Sequence, residues 1–112
     1  GMNPAREQCD CCYRCVPVAE MGGWIGSGTL APVCASCFQL YSAVRVTMPD
    51  SLPQDALNIA RFLRFEETLP RHLRPKLRRL IILLQNGSKR ARRMLHMAEN
   101  QGMSVQQTIA LF

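Results

Sequence analysis

The sequence predicts a mostly α-helical protein with a small metal-stapled β-hairpin near its N-terminal end, and three observations predict it. All six cysteines fall within the first 37 residues, five of them in C-x2-C pairs. Between the pairs, residues 16–33 hold four glycines and two prolines, too many breakers for a helix. From Cys34 onward, apolar residues recur at steps of three and four, the period of one helix face.

The cysteines come first. Cys12-Tyr-Arg-Cys15, eighteen residues, then Cys34-Ala-Ser-Cys37 has the spacing of a four-thiolate zinc site, in which each pair clamps one side of a tetrahedron. Cys9 and Cys11 make the N-terminal group overcrowded, and two overlapping pairs present themselves, Cys9/Cys12 and Cys12/Cys15. The second leaves the shorter loop to Cys34 and keeps the extra cysteines at the chain's frayed end, so Cys12, Cys15, Cys34 and Cys37 are taken as ligands. Cys9 and Cys11 then remain as spare thiols. Only Arg14 lies near enough in sequence to favour a thiolate there, which argues against a redox pair. A chain of 112 residues with 6% aromatic residues builds an aliphatic core of modest size, and a metal staple adds stability that packing alone does not supply.

The glycine-rich segment suits a hairpin with Trp24-Ile25 and Thr29-Leu30 on its arms, and Trp24 is expected to pack over the metal site. The helix that follows carries Phe38, Leu40, Tyr41 and Val44 and stops at Met48-Pro49. Cys34 and Cys37 in its first turn lie where free backbone N–H groups stabilise thiolate charge. A knuckle, a hairpin and a helix supplying the last two ligands make a treble-clef arrangement. With Phe-Gln-Leu-Tyr41 after the second pair, this stretch resembles the GATA-type zinc finger, and its spacing is similar to the TraR-type finger, over roughly residues 9–47. The resemblance implies the fold and zinc binding. It does not bring the DNA-reading surface, because Ala35 stands where the GATA family has Asn and the residues from Ser42 to Asp50 form no basic tail.

Residues 50–112 read as a second, basic helical region of three or four helices. Ser51 and Gln54 offer a capping box for a helix running to about Thr68, with Ala56, Ile59, Ala60, Phe62 and Leu63 inward. After Pro70 comes a helix with Leu73, Leu77, Leu80, Ile81 and Leu84 on one face, its Ile-Ile-Leu-Leu end expected to be buried and Asn86-Gly87 its stop. Ser88 caps the next, with Ala91, Met94, Leu95 and Ala98 inward, and Ser104 caps a last short one.

Charge separates the two regions. Residues 1–60 carry three arginines against five acids, a net of −2, whereas residues 61–93 carry eleven Lys/Arg against Glu66 and Glu67, a net of +9. Four thiolates around one zinc ion add a further −2 centre to the acidic part, which therefore reads as scaffold. Arg71, Arg74, Lys76, Arg78, Arg79, Lys89, Arg90, Arg92 and Arg93 lie on two consecutive helices, as a phosphate-binding surface requires. The expected partner is a nucleic acid, DNA first, in a regulatory role. The alternative is an adaptor whose helices form a partner or dimer interface and whose basic patch docks an acidic protein.

No catalytic grouping is legible: His72 and His96 have no acid or cysteine at ligand spacing, no glycine loop suits a phosphate, and a four-sulfur site leaves no open position for water. Gly1 ahead of Met2 reads as a cloning remnant. The residues after it lack the apolar run of a signal peptide, and Leu80–Leu84 is far too short to span a bilayer. Unpaired cysteines at this density fit a reducing, cytoplasmic setting.

Overall fold

A computed structural model describes residues 5–25 and 31–112. The chain divides into two compact units, residues 1–64 and 65–112. The boundary lies beyond the one read from the sequence, which ended the metal module at residue 47 and began the helical region at residue 50. The reason is that the helix after Pro49 is bonded to the cysteine segment, through the Leu57 carbonyl and the Arg61 guanidinium.

In the first unit, β1 (Arg6–Gln8) pairs antiparallel with β2 (Cys15–Pro17), with Glu7 opposite Val16 and Gln8 opposite Cys15. The loop between them carries Cys9, Cys11 and Cys12. A second antiparallel pair, β3 (Met21–Ile25) with β4 (Ala31–Cys34), runs directly into α1 (Ala35–Thr47). Gly22 and Gly23 sit at a bulge in β3, and α1 lies against them. A Cβ on Gly22 would come within 2.6 Å of the Ala35 Cα, and one on Gly23 within 2.6 Å of the Phe38 ring. The glycines are therefore a packing requirement, and they let Phe38 seat on the hairpin.

The bulge also decides Trp24. Beyond it Ile25 points inward, 4% exposed, while Trp24 on the opposite face is 58% exposed. The indole is a surface group and not the cover of the metal site that the sequence suggested. The other expected arm, Thr29-Leu30, lies outside the described residues.

The last helix of this unit is α2 (Pro53–Phe65), followed by a 3-10 turn at Glu66–Thr68 that already lies in the second unit. Its expected capping box does not form, because the Ser51 hydroxyl donates back to the Met48 carbonyl at 2.7 Å. Burial runs without a break from Asp55 to Ala60 and resumes at Phe62. The buried side is thus wider than the stripe expected from the apolar residues.

In the second unit a 3-10 turn at Arg71–Leu73 leads into α3 (Arg74–Gln85), then α4 (Lys89–Asn100) and α5 (Val105–Ala110). Leu73, Leu77, Leu80, Leu84, Ala91, Leu95, Ala98 and Ile109 are buried. Both interhelical turns end on a left-handed glycine, Gly87 at φ 71° and Gly102 at φ 67°. In each, the residue after the glycine bonds back across the helix end, Ser88 N–H to the Leu83 carbonyl and Met103 N–H to the Ala98 carbonyl, which satisfies acceptors the helix leaves open. Ser88 caps α4 by accepting from the Ala91 N–H, and Ser104 and Gln107 form a capping box on α5. Ile82 departs from expectation. It is 54% exposed, because its place on α3 falls on the face opposite Leu77, Leu80 and Leu84. Among the described residues no helix is long and apolar enough to cross a membrane.

Candidate metal centre

The Sγ atoms of Cys9, Cys12, Cys34 and Cys37 lie within 4.8 Å of one another, and all four residues are buried. A tetrahedron of sulfurs about 2.3 Å from a central ion has edges of about 3.8 Å, so one ion fits with a slight contraction of the cluster. Three of these four residues are the ones expected. The fourth is Cys9 in place of Cys15.

Local backbone geometry accounts for the exchange. Cys9-x2-Cys12 forms a tight knuckle in which Tyr13 N–H donates to the Cys9 carbonyl at 2.8 Å and Cys9 N–H to the Arg14 carbonyl at 2.9 Å. The knuckle turns on Tyr13, which takes φ 66°, a left-handed conformation unusual for a residue with a side chain. Backbone N–H groups of Cys11, Cys12 and Cys34 then converge on the Cys9 Sγ at 3.3, 3.4 and 3.3 Å. Cys15 has none of this: it is an exposed residue of β2 opposite Gln8. The signal was available in the chain. A knuckle on Cys12/Cys15 would need the left-handed turn at Val16, and a β-branched residue is the worst suited to it.

The thiols respond to this crowding in different directions. Burial pushes the Cys9 thiol up, but the N–H groups of Cys12, Cys34 and Cys11 outweigh it and hold it at about 7, below the usual thiol range. Burial raises Cys12 to about 12, reinforced by the negative charge of Cys37 and Cys9. Cys34 is raised by burial as well. Cys37 is raised most, first by a hydrogen bond with the Cys11 thiol and then by burial. Such a cluster resists holding four thiolate charges until a cation enters. Four soft sulfur donors in tetrahedral reach suit a divalent ion of zinc's type, and they leave no open coordination position for substrate.

Cys11 is neither spare nor peripheral. It is fully buried, and its Sγ donates to the Leu57 carbonyl of α2 at 3.9 Å. Leu57 and Ala60 belong to the same core as the cysteines. Arg61 completes the attachment. Its Nε donates to the Cys11 carbonyl and its Nη2 to the Asp10 carbonyl, both at 2.8 Å, while its Cζ lies 4.8 Å from the centre of the Tyr13 ring. The helix thus holds the knuckle from outside. In the sequence Arg61 is simply the first charge of the basic stretch, and nothing local marks its bond to a segment fifty residues away.

The nine basic residues singled out from the sequence lie in the second unit. Eight of them are exposed and Arg92 is half-buried. Two are committed to other work: Lys76 Nζ donates to the Ala110 carbonyl at 2.8 Å, and Arg79 Nη1 to the main-chain oxygen of Phe112 at 3.0 Å. These bonds satisfy main-chain oxygens at the end of α5, a role a cation fills well at a helix C-terminus. Arg71, Arg74, Arg78, Lys89, Arg90 and Arg93 are the exposed remainder.

No protein family, curated protein or solved structure matches the chain.

Proposed function

We propose that the chain is a small zinc-binding protein of a reducing, cytoplasmic compartment that binds nucleic acid, DNA first, in a regulatory role. Zinc sits on Cys9, Cys12, Cys34 and Cys37 in a purely structural capacity. Knuckle, hairpin and ligand-bearing helix make the treble-clef arrangement that the resemblance to GATA-type and TraR-type fingers implies. The metal unit contributes rigidity, and the contact with phosphate falls to the α3–α4 region.

The observation that carries this reading is the exposure of Arg71, Arg74, Arg78, Lys89, Arg90 and Arg93 on and before two consecutive helices whose only acid is Glu99. Side chains held in water around a rigid helical pair can neutralise phosphates and release counterions, which makes the affinity fall as salt rises. The test is binding of the zinc-loaded chain to unrelated DNA and RNA duplexes over a range of salt. Log affinity is expected to fall by about 0.9 for each phosphate neutralised per tenfold rise in salt. Arg74→Gln and Arg78→Gln should each lower that slope by about one. An absence of binding at low salt would sink the proposal.

One observation favours a second reading, the protein adaptor. Pro75, Arg78, Arg79, Ile82 and Leu83 line an open groove on α3, with Ile82 an exposed aliphatic group between the basic positions. An apolar centre flanked by guanidinium groups suits an acidic protein surface better than a phosphate backbone. Ile82→Ser distinguishes the two: it should leave salt-dependent duplex binding intact and weaken an adaptor contact.

A further inference from the structure

We infer that Arg64 is part of the metal centre: its guanidinium, carried by α2, offsets the net negative charge of the four-thiolate site and sets how tightly the ion is held. The inference rests on the zinc reading above and goes beyond the ligands themselves.

Leu57, Ala60, Arg61 and Arg64 lie at steps of three and four along α2 and so share one face. The first two belong to the core that contains Cys9, Cys11, Cys12, Cys34 and Cys37. Arg61 is bonded to the backbone of the knuckle at Asp10 and Cys11. One turn further on, Arg64 falls on this same face, between Leu57 and Ala60 in helical angle. Its Nε is buried with no hydrogen-bond partner. A buried N–H donor left open on the helix face that packs against the cysteine core is costly unless sulfurs there carry charge for it to face.

A divalent ion with four thiolates has a net charge of −2, and one guanidinium in contact brings the assembly to −1. In a site withdrawn from water this difference is large, because little solvent is present to screen it. Arg61 and Arg64 thereby divide two tasks on one helix face. Arg61 fixes the shape of the knuckle through backbone carbonyls, and Arg64 stabilises the charge of the filled site. Outer partners of metal ligands typically change affinity by about 10–100-fold when removed.

The experiment compares the full chain with Arg64→Met and Arg64→Lys by competition for zinc against a chromophoric chelator. Met keeps the apolar stem and removes the charge. Lys keeps the charge on a different head. Cobalt(II) substitution is read alongside, since its absorption reports four-thiolate tetrahedral ligation irrespective of affinity. Zinc affinity should fall about 10–100-fold in Arg64→Met while the cobalt spectrum still shows four sulfurs, and Arg64→Lys should recover most of the loss. Equal affinity in the Met variant and the parent overturns the inference, as does a Lys variant no better than Met. Should Arg64→Met not fold, Arg64→Lys decides alone: retention near the parent's supports a charge role, and a drop of more than about tenfold overturns it. A parent chain that binds no zinc or cobalt would refute the metal reading itself, a result distinct from either.

Discussion

Replacing Cys9 by serine separates the two ligand sets most directly. A structural zinc site contributes about 10–16 kcal/mol of apparent binding free energy at neutral pH, so an even share is about 3 kcal/mol per ligand. Cys9 also accepts three backbone N–H groups, from Cys11, Cys12 and Cys34, and a serine oxygen lies closer to its own Cβ than a sulfur does. Weakening those bonds adds about 1 kcal/mol. Together the loss is about 4 kcal/mol, roughly a thousandfold in zinc affinity. Cys15→Ser removes an exposed strand residue and should change stability by no more than about 0.5 kcal/mol. The assay is zinc per chain by elemental analysis, then competition with a chelator of known affinity. One zinc in the Cys15→Ser chain and weak or absent binding in Cys9→Ser is the expected result. A Cys9→Ser chain that holds one zinc as tightly as the parent, with Cys15→Ser losing it, would refute the knuckle geometry.

Gly22→Ala places a methyl group 2.6 Å from the Ala35 Cα, where backbone must move, and should destabilise the chain by about 2–4 kcal/mol in denaturant titration. Arg61→Ala leaves the carbonyls of Asp10 and Cys11 without their donors and should cost about 2 kcal/mol, seen as a lower melting temperature of the zinc-loaded protein. Stability should depend on pH with opposite sign in the two metal states. Without metal, the raised thiols of Cys12, Cys34 and Cys37 favour the fold below the ordinary thiol value of about 8.5 and withdraw that support as pH climbs past it. Cys9, held at about 7, opposes the other three. With zinc bound, protons compete for the sulfurs and stability is lost on acidification. Melting curves across pH with and without chelator read both slopes, and parallel slopes would contradict the assignment of the cluster.

The four-cysteine cluster was legible in the chain to within one residue. The spacing of C-x2-C pairs and the breakers between them specified a knuckle, a hairpin and a cysteine-bearing helix, because each depends on local chemistry. Choosing among Cys9, Cys12 and Cys15 depended on a backbone angle at Tyr13, which loop length does not encode. The helix stops at Gly87 and Gly102 and the caps at Ser88 and Ser104 were equally local and equally readable. Trp24, Ile82 and the attachment of α2 were not. Each depends on which face a distant element covers: the bulge beside Phe38 for Trp24, the inner side of α3 for Ile82, and contacts some fifty residues apart in sequence for Arg61.

Long-range contacts also change what the charge pattern means. Residues 61–93 carry eleven Lys/Arg, and read along the chain they form a single basic block. Arg61 and Arg64 belong to the first unit, one bonded to the knuckle backbone and the other on the same face of α2 with its Nε buried. Lys76 and Arg79 hold main-chain oxygens at the end of α5. With Arg92 half-buried, the exposed cations left without these duties are Arg71, Arg74, Arg78, Lys89, Arg90 and Arg93. A surface built on six cations predicts a shallower salt dependence than the sequence's nine. Substitutions at Lys76 and Arg79 should loosen α5 before they alter any phosphate contact. The salt slope therefore measures how far the basic block serves a polyanion and how far it holds the protein's own structure together.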